Sequence, residues 1–203
     1  MAAANFSDRE AGAVRRQYHR TSERRQEILQ TVTKLLAEPG CRGVTTKDIA
    51  RSMGIADGAL YRHFSGRTEI FAELIGFSRL AFEKIFTEID EQRDLAMLTN
   101  VKIKTRAMLM FGEANRGLTR LLVGEALHEE DPDIKQALRD TLEFAEHAIR
   151  HTLENKENPQ EQASERASMI MSYVLGRWSR FVLSGFEEKP TANWETAERI
   201  LFS

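Results

Sequence analysis

The sequence predicts an all-α fold. Apolar residues recur at three- and four-residue intervals along most of the 203 residues, and no stretch shows the sustained apolar–polar alternation of a half-buried strand. Helix formers dominate, and the four prolines, Pro39, Pro132, Pro159 and Pro190, leave long stretches without a strong breaker. The length suits one domain of middling size or two small ones, enough to bury a core without disulfide staples.

In chain order, Ile28, Leu29, Val32, Leu35 and Leu36 recur at helical spacing and predict a first helix over about residues 22–38, ended by Pro39-Gly40. Thr45 with Asp48 has the spacing of a capping box, so a short helix starts there and stops near Met53-Gly54. A third runs from Asp57 to Phe64 and breaks at Ser65-Gly66. Residues 67–90 carry Ile70, Phe71, Leu74, Ile75, Phe77, Leu80, Ala81, Phe82 and Ile85, the pattern of one long helix buried over much of its surface. Further helices are expected at about 95–113, 117–127, 133–155, 160–184 and 192–202, with Gly112, Gly117, Pro132, Pro159 and Pro190 at the joints.

Composition narrows the function. No apolar run approaches the roughly 18 residues of a membrane span, and the N-terminal stretch has no apolar core of a secretory signal. The single cysteine, Cys41, excludes an intrachain disulfide and fits a reducing, cytoplasmic setting. There is no Gly-rich phosphate loop, no Ser or Cys nucleophile signature and no convincing metal cluster, so neither an enzyme nor a cofactor is expected. His147 and His151 stand four apart on one face, but without a third and fourth ligand they read as a solvated polar face. Cys41 reads as an inert thiol.

The stretch Thr45–Phe64 carries the chemistry. Ala50 lets two helices approach, Gly54 four residues on accepts a left-handed turn, and Leu60 locks the second helix onto the first, with Ile49 and Ile55 completing a small core. This is helix-turn-helix spacing. The second helix then presents Asp57, Gly58, Ala59, Tyr61, Arg62 and His63 outward. An arginine there can pair with guanine edges or phosphates, and Tyr and His can hydrogen-bond phosphate oxygens. Gly58 weakens the helix by roughly 1 kcal/mol relative to Ala, a cost that a close DNA approach would explain.

Thr45-Thr46, Ile49-Ala50, Gly54-Ile55, then Ala59-Leu60-Tyr61-Arg62-His63-Phe64 and Arg67-Thr68-Glu69-Ile70-Phe71 resemble the N-terminal domain of TetR-family regulators over about residues 23–75. The resemblance implies a three-helix helix-turn-helix domain at 22–67 behind a flexible basic arm at 1–21. It also implies a larger helical ligand and dimerisation domain at 68–203, and a homodimer on palindromic double-stranded DNA. It places Thr45, Thr46 and Lys47 at the phosphates, Asp57, Gly58, Ala59 and Arg62 toward the bases, and Tyr61 and His63 at the phosphates. Arg67 stands where the family usually has a phosphate-binding lysine, and Ala56 replaces its usual Ser or Thr helix cap.

The charge is uneven in the same sense. Net charge is −2, from 29 Lys+Arg against 31 Asp+Glu, yet residues 1–67 hold 12 basic and 7 acidic residues, a net of +5, and the remainder −7. The arm before the first helix holds Arg9, Arg15, Arg16, His19 and Arg20, with Arg24 and Arg25 following it, and such an arm can follow phosphates or enter a minor groove.

In the remainder, Ser164, Ser168, Ser172 and Gly176 repeat every four residues beside large apolar residues, which lets another helix approach closely. The resemblance puts the dimer interface on the last two long helices, here with Ser168, Ser172, Gly176 and Val182. A small-molecule effector is a candidate partner, lined by Phe77, Met108, Phe111, His128, Phe144 and Trp178. The long helix 67–90, joining both domains, is the expected bistable element.

A narrower resemblance, over Phe111–Leu127 and Ser179–Val182, is to the family's nucleoid occlusion factors, which bind chromosomal sites and antagonise the division protein FtsZ. It implies that Phe77 and Asn115 lie on a groove for the acidic FtsZ tail. Two basic positions of that groove are Ile85 and Ala114 here, which attract an acidic tail poorly. The leading expectation is therefore a homodimeric, sequence-specific transcriptional repressor, cytoplasmic and nucleoid-associated. Nucleoid occlusion, with FtsZ as partner, is the alternative.

Overall fold

The computed structural model describes residues 23–92, 95–154 and 160–202, and among them there is no strand. The arm residues Arg9, Arg15, Arg16, His19 and Arg20, and Pro159, lie outside the described residues. The helices are α1 (23–37), α2 (Thr46–Met53), α3 (Asp57–Leu60), α4 (Arg67–Asp90), α5 (Met97–Ala114), α6 (Arg116–Arg120), α7 (Ala126–His128), α8 (Pro132–Leu153), α9 (Gln160–Leu183) and α10 (Trp194–Leu201). Leu121–Glu125 form a π-helical turn between α6 and α7.

Local chemistry sets most boundaries. Thr45 and Asp48 cap α2 reciprocally, and Gly54 ends it at φ +64°, its N–H donating to the Ala50 and Arg51 carbonyls. The third helix is shorter than the sequence predicts: α3 stops at Leu60, and Tyr61–His63 continue as turns. Its cap position, Ala56, makes no side-chain hydrogen bond. Asp131 caps α8, with Pro132 at its first position.

The break expected between 113 and 117 is present, and the two glycines beside it are helical. Gly112 lies inside α5, where a Cβ would collide with the Trp178 indole; Gly117 lies inside α6, where a Cβ would collide with the Thr33 carbonyl. Both glycines serve close packing, and the break between α5 and α6 falls at Asn115.

The C-terminal helices pack α4 on α8 and α5, and α9 on α8 and α5. Phe82 is the centre of their aromatic core, 4.8 Å from Phe111 edge-on and 6.1 Å from Trp178 in a stack. Where α4 ends, buried Lys104 of α5 donates 2.8 Å bonds to Asp90 and to Thr152 of α8. The pair neutralises a cation that is 1% exposed. Contrary to the expected burial, Phe77 and Leu80 of α4 are about half or more exposed.

The N-terminal helices pack through Ile28, Val32, Leu36, Ile49, Ala50, Leu60 and Phe64, all buried and, Ala50 apart, continuous with the larger core. Arg120, itself buried, donates to the Glu38 carbonyl at 2.8 Å, fastening α6 to the end of α1. Its guanidinium also stacks 4.9 Å above Phe186, which sits at φ +71° just past α9.

Candidate nucleic-acid interface

The capping box, the αL glycine and the buried Leu60 hold α2 and α3 against each other. Of the expected contact residues, Thr45, Lys47, Asp57, Gly58, Tyr61 and Arg62 are exposed, while Thr46, Ala59, His63 and Arg67 are partly exposed. Tyr61 is 56% exposed, large for an aromatic ring that serves no core. A Cβ on Gly58 would meet nothing within 4 Å, so no contact within the chain calls for glycine there. His63 has a buried Nδ1 without a protein partner.

Two cations of this region also make ion pairs within the chain. Arg25 donates to the His63 carbonyl, pairs with Glu69 at 3.0 Å and with Glu73, and stacks 3.9 Å above Phe64. It is a clamp between α1, the turn that follows α3, and α4. Arg67 pairs with Glu129, beyond α7, and its guanidinium lies 5.2 Å above Phe71. Arg24 makes an exposed pair with Glu27 at 2.6 Å.

Two carboxylates of this region sit below the ordinary range. Hydrogen bonds from the Thr45 side chain and backbone hold Asp48 down. The Ser65 backbone amide does the same for Glu69, reinforced by Arg25.

A second feature lies beside this domain. A groove of about 700 Å³ runs between α1, α4 and the α5–α6 corner, lined by Leu29, Leu74, Phe77, Ala81, Phe111 and Leu118, with Asn115 and Thr33 at its edge. Lys34 and Arg116 bring two cations, and no carboxylate lines it. Phe77, Phe111 and Asn115 of the expected ligand set therefore come together.

Met108 and Trp178 do not join them. Both are fully buried, with the indole N–H donating to the Met108 carbonyl at 3.2 Å, so these two expected lining residues are core. His128 is exposed. Phe144 lines a separate polar cleft with Arg79, Glu143 and His147. The groove cations escaped sequence reasoning because Lys34 and Arg116 are far apart in the chain, and no local pattern joins them.

Ser168, Ser172 and Gly176 are exposed along α9, next to Met169 at 65% and Leu183 at 85% exposure; Val182 is partly buried. Ile200 of α10 is also exposed, at 71%.

Comparison with known proteins places these features. Residues 28–74 match the bacterial regulatory proteins of the tetR family, and residues 96–203 match the SlmA-like, tetracyclin repressor-like C-terminal domain. The chain is 34% identical over 181 residues to the nucleoid occlusion factor SlmA of Marinobacter nauticus, covering 86% of this chain and 91% of that one. It is 33% identical over 189 residues to SlmA of Vibrio atlanticus, covering 90% and 95%. Among solved structures, the MbdR regulator of Azoarcus sp. CIB superposes with a TM-score of 0.72 at 15% identity, covering 88% of this chain and 96% of that one. The Bacillus subtilis regulator FadR, in complex with stearoyl-CoA, superposes at 0.67 and 16% identity, covering 88% and 97%; these two likenesses concern the fold.

Proposed function

Because this chain belongs to the TetR family of DNA-binding regulators, with an SlmA-like C-terminal domain, we propose that it is a homodimeric nucleoid occlusion factor. In this reading it binds scattered chromosomal palindromes and holds the acidic tail of FtsZ in its groove. The observation that carries the reading is the groove's charge. Lys34 and Arg116 supply the cations that Ile85 and Ala114 do not, and the lining holds no carboxylate to repel an acidic peptide.

On DNA, two recognition segments enter successive major grooves, and site palindromy mirrors the dimer axis. Arg62, Asp57, Gly58 and Ala59 face the bases. Thr45, Thr46, Lys47, Tyr61, His63 and Arg67 hold phosphates and fix the register. The exposed face of α9, through Ser168, Ser172, Gly176 and Val182, with the exposed side of α10, pairs with a second copy.

The competing reading is a transcriptional repressor released by a small effector. It is favoured by the apolar character of Phe77, Leu74 and Phe111, which suits an apolar ligand. Selection of bound genomic fragments separates the two: scattered sites support occlusion, and one promoter site supports repression. Titration with an FtsZ tail peptide, with and without DNA, gives the second test, and no binding at high micromolar peptide removes occlusion. For the DNA face, Arg62→Ala and Tyr61→Phe proteins are expected to fold normally and to bind the selected site more weakly. The arginine change is expected to cost about 1–3 kcal/mol if Arg62 reads a guanine. Unchanged affinity in gel shifts removes the assignment.

A further inference from the structure

The Arg67–Glu129 ion pair joins the two halves of the chain where the DNA reading requires an available cation. Arg67 opens α4 directly behind the recognition motif. Glu129 follows α7 and leads into Glu130 and Asp131. The pair is sheltered on the acidic side, with the Glu129 side chain 15% exposed, and open on the basic side, with Arg67 36% exposed. Phe71 supports the guanidinium from below.

We propose that Glu129 is a built-in competitor for the DNA backbone: it holds Arg67 in the free protein, and a phosphate must take the guanidinium from it. The inference rests on the reading of Arg67 as a phosphate contact. A carboxylate and a phosphate engage the same fork of guanidinium donors. Seating both there places two anions within a few ångströms of each other, where their repulsion is strong. DNA therefore binds against Glu129.

The DNA-binding domain has attachments that do not involve this pair. Arg120 donates to the Glu38 carbonyl at 2.8 Å, and Gly117 abuts Thr33. Reciprocity follows from linkage: whatever holds residues 129–131 against Arg67 weakens DNA binding, and bound DNA frees that segment by the same factor.

The test is a double-mutant cycle on the full chain, with the duplex selected from genomic fragments and a random-sequence duplex as probes. Glu129→Gln is expected to tighten both by roughly 3- to 5-fold at low salt, the scale of one partly exposed ion pair. Arg67→Ala is expected to weaken both, and adding Glu129→Gln to the Arg67→Ala protein is expected to change neither. Glu129→Ala, checked for folding by circular dichroism, repeats the measurement without the amide. Unchanged affinity in both Glu129 variants overturns the proposal. So does equal tightening by Glu129→Gln with and without the Arg67→Ala change, which marks long-range charge instead. An Arg67→Ala protein that binds as wild type overturns the phosphate contact itself, a different failure from the other two.

Discussion

Arg25 and Arg67 show what a single residue's surroundings decide. In sequence both are cations near a DNA-reading motif, and nothing local marks either as spoken for. Their partners, Glu69 and Glu73 for one and Glu129 for the other, arrive from distant parts of the chain. Glu69 in turn is held below the ordinary carboxylate range, first by the Ser65 amide and then by Arg25. Its lowered value means that the folded state binds fewer protons there than the unfolded chain. The stability it contributes is present above the unfolded value of about 4.3 and is lost as pH falls through the lowered one. Melting temperature is accordingly expected to drop as pH falls through and below the ordinary glutamate range. A Glu69→Gln protein is expected to melt lower at neutral pH and to decline less steeply in acid. Parallel acid profiles for the two proteins would count against this account.

At the scale of the element, helix positions were legible and helix contacts were not. The periodicity of Ile28–Leu36, the Thr45–Asp48 cap and the Pro132 start each announce themselves within a few residues, and the observed helices follow them closely. The helix-turn-helix itself was legible for the same reason, since its logic lies within one short stretch, Thr45–Phe64. Gly112 and Gly117 misled because glycine has two uses, turning a chain and admitting a neighbour, and only tertiary structure distinguishes them. The groove was half legible: Phe77, Phe111 and Asn115 were found, whereas Lys34 and Arg116 depend on how α1 meets α6. Gly117→Ala tests that meeting. A methyl group driven into the Thr33 carbonyl forces α1 and α6 apart. The expected cost is about 1–3 kcal/mol, read by denaturant unfolding. The same substitution is expected to increase amide exchange in α1 while leaving α8 protected.

For the molecule as a whole, the net charge of −2 conceals a basic N-terminal third and an acidic remainder, and that asymmetry is expected to orient the approach to DNA. The exposed strip Met169, Ser172, Gly176 and Leu183 on α9 supplies the surface that a second copy would cover. A Ser172→Arg, Leu183→Glu protein is expected to sediment as a folded monomer. It is also expected to lose the cooperative binding of a palindrome while retaining weak half-site affinity. A dimer at micromolar concentration would refute that placement. Lys47→Ala, by contrast, is expected to reduce the dependence of log affinity on log salt by about 0.9 for each phosphate contact removed.

The seat of α1 on α6 has a consequence for how forgiving the protein is toward its DNA. Gly117 lies flush against Thr33 and Arg120 is fastened to the Glu38 carbonyl, so each proposed reading head is tied to the larger domain at two points. In the proposed homodimer, two heads seated this way would measure a set gap. An inserted base pair between half-sites both lengthens that gap and turns one half-site around the helix axis, and a head without slack can follow neither change. On the proposed homodimer, discrimination against misspaced sequences is then expected to come from how each head is seated, far from any base.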